Sequence, residues 1–275
     1  ASVEARRAHG EAVQQHHGGT PPARRVHPVL EPHGLVLFTR RKARRTRIRN
    51  VVAGHAPRDD RPARDGTILD RLREMVRLAA GLDEQGRLDK SVSARALECL
   101  QRFGQRLRDM HAESVRVVGT NTLRKAHRKQ AFLERARDAL GHPIEIISGI
   151  EEARLIFLGV ANTIPNDPGR RLVVDIGGGS TELIIGEGFN PLRLESLHMG
   201  CVGHSVRFFP EGKVRRESFK QAVIASRLEL QTIERRFRSL GWDHCVGSSG
   251  TILAVADILR ANGWAEQGIT RQGLK

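Results

Sequence analysis

The sequence predicts an α/β chain, and three observations carry that prediction. From residue 115 onward, short apolar runs of strand length alternate with amphipathic stretches of helix length, beginning with strand–helix–strand units. Residues 171–186 read Arg-Leu-Val-Val-Asp-Ile-Gly-Gly-Gly-Ser-Thr-Glu-Leu-Ile-Ile-Gly. Two apolar and β-branched runs around a glycine turn form the pattern of a β-hairpin. Residues 244–246 then pass through Gly247, Ser248, Ser249, Gly250 and Thr251 into a helical stretch ending near residue 261. A strand, a Gly/Ser turn and a helix start together make a ready anion site.

Taken in order, residues 1–66 differ from the rest. They are rich in Arg, His, Pro and Ala, and carry fourteen Lys and Arg against six Asp and Glu, or +8 of the total +15. Six of the twelve histidines fall here, without metal-type spacing. This composition reads as a disordered segment. The basic run at residues 40–49 leaves a nucleic-acid arm as the alternative, but no aromatic residues are interleaved with it for base stacking. Residues 34–38 fit a short strand.

Order begins near Thr67. Residues 67–79 fit a helical face about as well as a strand face, so periodicity does not decide between them. Gly81 and Gly86 mark a turn region. Ser91 or Ser93 can cap a helix running to about His111, with Leu97, Leu100, Phe103, Leu107 and Met110 facing inward. A strand at residues 115–118 runs into Gly-Thr-Asn-Thr-Leu-Arg, a small polar turn ending in Arg124. Phosphate binding and a plain surface arginine are equally open there. A helix at 130–140 and a strand at 144–147 follow. Ser148 caps a helix from 150 to about 161, with Glu151 and Glu152 in its first turn. The helix dipole favours acids at that place, so spacing alone reads them as capping residues.

The central hairpin comes next. Asp175 stands just before its turn and Glu182 just after it, so both carboxylates could reach one hard cation such as Mg²⁺. Gly177, Gly178 and Gly179 let the backbone approach a ligand closely. Bare N–H groups in such a turn, continued by Ser180 and Thr181, can cradle a phosphate. Acid, three glycines, Ser-Thr and acid within eight residues outweigh the plainer reading of a tight hairpin with incidental acids. Residues 192–197 predict a third antiparallel strand, ending at Met199, Gly200 and Cys201. Residues 218–240 predict a long helix with Phe219, Val223, Leu228, Leu230 and Ile233 inward. No internal repeat is evident.

Composition bounds the classes. A chain of 275 residues, 39% hydrophobic, has room for one large or two modest domains. No apolar run approaches the roughly 20 residues of a membrane span, and no secretory signal pattern is present. Cys99, Cys201 and Cys245 lie far apart, which suggests a reducing cytoplasm and no structural zinc. The surplus of positive charge favours polyanionic partners, but more than half of it sits in the first quarter of the chain.

Residues 173–186, with Ile-Ser-Gly-Ile-Glu-Glu-Ala-Arg-Leu-Ile at 147–156 before them and residues 246–251 after, resemble the exopolyphosphatase / guanosine pentaphosphate phosphohydrolase family of the actin-like ATPase and sugar-kinase superfamily. The resemblance runs almost continuously from residue 67 to 275. It implies two ribonuclease-H-like domains around a cleft: an incomplete first domain at 67–140 and a second at 141–275, cut short at its C-terminal end. It also implies a strand at 67–79. It makes Asp175 to Glu182 the second phosphate loop, with both acids near Mg²⁺. Glu152 becomes the general base, Arg124 faces the phosphate cleft, and Gly247 to Thr251 form the nucleotide-side turn.

The activity so implied is processive removal of terminal phosphate from inorganic polyphosphate. Guanosine pentaphosphate is the alternative substrate, and a non-catalytic polyanion-binding remnant is the third reading. A sugar or acetate kinase is distant, because the Ser-Gly-x-Glu-Glu-Ala motif points to water as acceptor. The resemblance further implies a cytoplasmic enzyme, with peripheral membrane association and homodimers open in intact members, and no specific nucleic-acid partner.

One departure is large. The family opens with a strand and hairpin of the form Asp-x-Gly-Ser-Asn-Ser, the first phosphate loop, and residues 1–66 contain no such sequence. Residues 1 to about 50 read as a translated wrong frame or an unrelated replacement, with residues 51–53 as the tail of the expected strand. Family members also carry on past residue 275. Weak or absent activity is the expectation for this chain.

Overall fold

The computed structural model of the protein describes the backbone of three strands, β1 (Val26–Val29), β2 (Leu35–Arg40) and β3 (Ile48–Val52), and residues 76–275 except 77, 84, 111, 113–114, 165–167 and 267. Two sheets organise it. The larger is built on the predicted hairpin, β6 (Arg170–Ile176) and β7 (Thr181–Glu187), continued antiparallel by β8 (Asn190–Leu197). On the other edge of β6, β9 (His244–Ser248) runs parallel to it, and β1 runs parallel to β9. The order is β1-β9-β6-β7-β8.

Strand alternation decides what each face of this sheet carries. Val173, Ile184 and Val246 point to one side, where α4 (Gly149–Thr163) covers them with Ala153, Phe157 and Val160. Leu172, Ile185 and Leu197 point to the other, against Ile233 and Phe237 of α6 (Arg216–Leu240). By the same parity Asp175 and Glu182 share the face of Val173 and Ile184. The acids therefore look toward α4, not α6.

The smaller sheet has the order β3-β2-β4-β5, with β4 (Val115–Gly119) parallel to β5 (Ile144–Ile146) and β2 antiparallel to both β3 and β4. Two helices, α1 (Lys90–Leu107) and α3 (Gln130–Leu140), pack on it through Leu97, Leu100, Phe103, Leu107, Ala136 and Leu140 around Val117. The sheets share a device that the sequence does not advertise. Strand β4 ends at Thr120 and starts α2 (Asn121–Lys125), much as β9 ends at Ser249 and starts α7 (Gly250–Ala261). They differ beside that device: β9 has the parallel strand β6, whereas β4 has the antiparallel β2. Among the described residues the smaller sheet thus holds no counterpart of the β6–turn–β7 hairpin.

Several expectations are corrected. Three stretches of the N-terminal segment, expected to be disordered, are strands; the fit of residues 34–38 to a strand agrees with β2. Leu78–Gly81 is a 3-10 turn, not strand, while residues 67–75 and 77 lie outside the described residues. The cap of α1 is Asp89, whose Oδ1 accepts from the N–H groups of Ser91 (2.9 Å) and Val92 (3.0 Å). The helix ends at Leu107, short of the predicted His111, and Met110 is exposed. The Gly-Thr-Asn-Thr-Leu-Arg turn is mostly the short helix α2. A helix at Cys201–Phe208, α5, stands where none was predicted.

Phe219 and Leu228 are exposed, not core. At 1.5 Å per residue α6 is about 38 Å long, too long for the sheet face beneath it. Its C-terminal half rests on the sheet, while its N-terminal half leans on α5, where Ser226 Oγ meets His204 Nε2 at 3.0 Å.

The seating of α4 matters most for function. Phe157 is fully buried, and its ring lies against β7 where Gly186 has no side chain; a Cβ there would come within 2.3 Å of the ring. This lock fixes the axial position of α4 and hence of Glu152. Phe157→Ala should cost about 3–5 kcal/mol of stability, measured by denaturant unfolding.

Candidate functional site

The first turn of α4 splits its two acids. Ser148 caps the helix, its Oγ accepting from Glu151 N at 3.1 Å. Glu151 turns outward to Arg154 (2.7 Å) and Arg116 (3.3 Å). The hydrogen bond from Arg154 holds its carboxyl below the usual carboxylate range. Glu151 is thus the structural acid. Glu152 turns inward over the sheet, where burial pushes its carboxyl up against the opposing pull of Arg124.

Three carboxylates meet here. Asp175 and Glu182 are direct cross-strand partners, 2% and 1% exposed. Like charges facing each other across a ladder are destabilising. The Glu182 carboxyl is pushed up to about 8, first by burial and then by the charges of Glu152 and Asp175. Hydrogen bonds work against that shift, among them one from Ser196 Oγ to Glu182 Oε1 at 2.8 Å. The cation beside the group is Arg124, with Nη1 2.8 Å from Glu152 Oε2. The same nitrogen donates to the Ile147 carbonyl at 2.9 Å. Glu152 Oε2 therefore receives the guanidinium's charge without a well-aligned hydrogen bond. Buried charge needs compensation, and a divalent ion could join Arg124 in supplying it. Among the described residues no group of three or more His, Cys, Asp or Glu side chains is placed to hold a metal ion. Mg²⁺ does not need such a group, since it commonly takes one or two carboxylates and fills the rest with water and substrate phosphate.

Around the acids stand the two predicted turns. In the hairpin turn, Gly177 N donates to Ser180 O at 2.9 Å. The Thr181 hydroxyl is committed to the Met199 carbonyl at 2.7 Å. Ser180 is buried beside Glu182. Register places Gly247 beside Val174 and Ser248 beside Asp175, so the second turn flanks the same end of β6. The Ser249 hydroxyl donates to the Ile176 carbonyl at 2.7 Å, holding a backbone with φ 104° and ψ 153°. That region is otherwise essentially glycine's, and strain of this kind gathers at functional sites. No side chain caps α7, so its first turn at Gly250 and Thr251 presents backbone donors. Thr181 and Ser249 therefore act as braces, and their contribution toward an anion is main chain.

The structure brings Arg124, Glu152, Asp175, Glu182 and the turn from Gly177 to Thr181 together, with Gly247 to Thr251 alongside. It adds three residues that the sequence reading missed. Thr120 stands beside Glu152 and offsets part of the upward push on its carboxyl. Asn121 reaches across from the smaller sheet: its Oδ1 would lie 2.9 Å from a Cβ on Gly179. Ser196 holds Glu182. The first two sit inside the Gly-Thr-x-Thr-Leu-Arg turn and could have been drawn from it. Ser196 lies in an ordinary strand and carries no sequence signal.

The model of the Ppx/GppA phosphatase family matches residues 58–275. The chain belongs to that family. A guanosine-5'-triphosphate,3'-diphosphate pyrophosphatase of Vibrio vulnificus is 48% identical over 213 residues, covering 77% of this chain and 42% of that protein. A Haemophilus influenzae protein provisionally named an exopolyphosphatase is 45% identical over 195 residues, covering 71% and 60%. The chain thus spans about two fifths to three fifths of the length of these relatives. Among solved structures, an exopolyphosphatase-like protein aligns with a TM-score of 0.66 at 25% identity, over 71% of this chain and 63% of that one. The Aquifex aeolicus PPX-GPPA enzyme aligns at 0.57 and 24% identity, over 87% and 72%, and speaks to the fold alone. The fold of this Ppx/GppA member is the actin-like, ribonuclease-H-like arrangement.

A pH dependence follows from the acids. Glu182 titrates near 8 in the folded chain against an ordinary 4.5, so between these values the native state binds more protons than the unfolded one. Metal-free stability should therefore fall as pH rises from about 4.5 to 8. Glu182→Gln should flatten that fall and melt higher than wild type at pH 8, as read by thermal denaturation in chelator; an unchanged slope would place Glu182 elsewhere than in this cluster.

Proposed function

We propose that this chain hydrolyses a terminal phosphoanhydride, removing phosphate from the end of inorganic polyphosphate, and that its turnover is impaired. The observation that carries the reading is the buried set Glu152, Asp175 and Glu182, with the guanidinium of Arg124 on Glu152 and a glycine turn beside them. Asp175 and Glu182 would hold Mg²⁺, which supplies charge neutralisation of the transferring phosphoryl group. Backbone N–H groups from Gly177 to Ser180 would hold that group in place. Glu152 would orient a water and take its proton as the new O–P bond forms and the bridging P–O bond breaks. Burial suits it to this role, since a carboxyl raised toward neutrality is a better base. Arg124, already at the cleft, would exchange part of its contact with Glu152 for the phosphate. The impairment rests on the absence of Asp-x-Gly-Ser-Asn-Ser from residues 1–66, and among the described residues the smaller sheet has no second glycine hairpin. A cytoplasmic setting belongs to the same reading, because Cys99, Cys201 and Cys245 form no disulfide.

Guanosine pentaphosphate is the second reading. The observation favouring it is the name of the Vibrio relative. Phosphate release with and without Mg²⁺ should be compared on both substrates, for this chain and for one with the first loop restored. Release should depend on Mg²⁺, be greater on polyphosphate, and rise about 10²–10³-fold with the loop. Greater release from guanosine pentaphosphate selects the second reading. Salt-sensitive binding without release in either chain selects a polyanion-binding remnant. Robust release from the chain as it stands refutes the impairment.

In the restored chain, Glu152→Gln should lower turnover about 10²–10⁴-fold while leaving substrate binding intact. Near-normal turnover would remove Glu152 from the mechanism.

A further inference from the structure

The glycine turn is not held by its own hairpin alone. Helix α5 has no side-chain cap, yet its leading N–H groups are satisfied, because they dock on the turn. Cys201 N donates to Gly177 O at 2.8 Å, Val202 N to Gly178 O at 2.9 Å and Gly203 N to Gly178 O at 3.0 Å. The N–H groups that every helix leaves without intrahelical partners are here spent on the phosphate loop. In a planar trans peptide the carbonyl and the next N–H point in opposite directions. Drawing the carbonyls of Gly177 and Gly178 toward α5 therefore turns the N–H groups of Gly178 and Gly179 away from it.

Gly200 makes the approach possible. Its backbone is extended, at φ −158° and ψ 161°, so conformation does not demand glycine. Space does: a Cβ would lie 2.5 Å from Gly179 N, 2.6 Å from Gly178 C and 2.7 Å from Gly177 O. All three contacts are main-chain atoms of the loop, which cannot swing aside as a side chain could. Gly203, one turn along the same helix, would meet nothing within 4 Å.

We propose that Gly200 and the N-terminus of α5 are the positioning element of the phosphate loop, setting its backbone donors before substrate arrives. Gly200 touches no substrate; it acts through Gly177, Gly178 and Gly179. The proposal rests on the reading of that turn as a phosphate cradle.

The test pairs Gly200→Ala with Val206→Ala, an exposed position on the same helix, in the full chain and measures binding of tripolyphosphate with Mg²⁺, together with thermal melting. Gly200→Ala should weaken binding roughly tenfold or more, the worth of one hydrogen bond to a charged group, while still melting cooperatively. Val206→Ala should bind as wild type. Wild-type affinity in Gly200→Ala, or an equal loss in both variants, overturns the proposal.

Should Gly200→Ala not fold, amide exchange in the wild-type chain decides. Slow exchange at Cys201, Val202 and Gly203, with amide shifts at Gly178 and Gly179 on adding tripolyphosphate, supports the proposal. Fast exchange at the three α5 amides overturns it. A wild-type chain that binds no tripolyphosphate overturns the cradle reading and this inference with it, and the wild type alone reveals that case.

Discussion

Two carboxylates facing each other across a buried ladder are the constraint on which the rest of the structure depends. Asp175 and Glu182 could relieve their repulsion by slipping register, but a one-residue slip would turn every side chain of β6 to the wrong face. Val173 and Ile184 fix the pairing from the α4 side, and Leu172 and Ile185 from the α6 side. The hydrophobic core thus holds in place an electrostatic arrangement that is unfavourable by itself. Such an arrangement makes physical sense where a cation and an anionic ligand complete it.

The surroundings of the acids show the same division between groups that brace and groups that remain for chemistry. Glu151 is consumed by Arg154 and Arg116, which leaves Glu152 as the inward member of the pair. Thr181 and Ser249 spend their hydroxyls on carbonyls of Met199 and Ile176. Phe157 locks α4 against Gly186. Each brace fixes a neighbour whose main chain or carboxylate faces the cleft. Arg124 belongs to both groups, since one nitrogen serves the Ile147 carbonyl and the Glu152 carboxylate together.

The two sheets are unequal partners in this site. The larger brings the glycine hairpin, two acids and the strained turn at Ser249. The smaller brings Thr120, Asn121 and Arg124 from the end of β4. Beside β4, where the larger sheet would have its central hairpin, stands the antiparallel pair β2 and β3. Membership of the Ppx/GppA phosphatase family therefore describes the ancestry and fold of the chain, and among the described residues only the larger sheet carries a glycine hairpin.

Much of this was legible in the residues alone. The hairpin, its flanking acids, the Ser148 cap and the helix at 130–140 are local features, written in spacing, glycine and short-range hydrogen bonding. So was the family resemblance, because it rests on contiguous motifs. Spacing left Glu151 and Glu152 open and only the resemblance singled out Glu152; the physical reason, Arg116 and Arg154 holding Glu151 outward, came from tertiary structure. It alone produced α5, whose start is stabilised by carbonyls more than twenty residues upstream, and it alone assigned Ser196 to Glu182. It also sent Phe219 and Leu228 to solvent, because periodicity marks an apolar face but not whether anything lies opposite. Local chemistry fixes elements and turns; which side chains share a buried charge depends on elements far apart in the chain, and that became visible only when they packed.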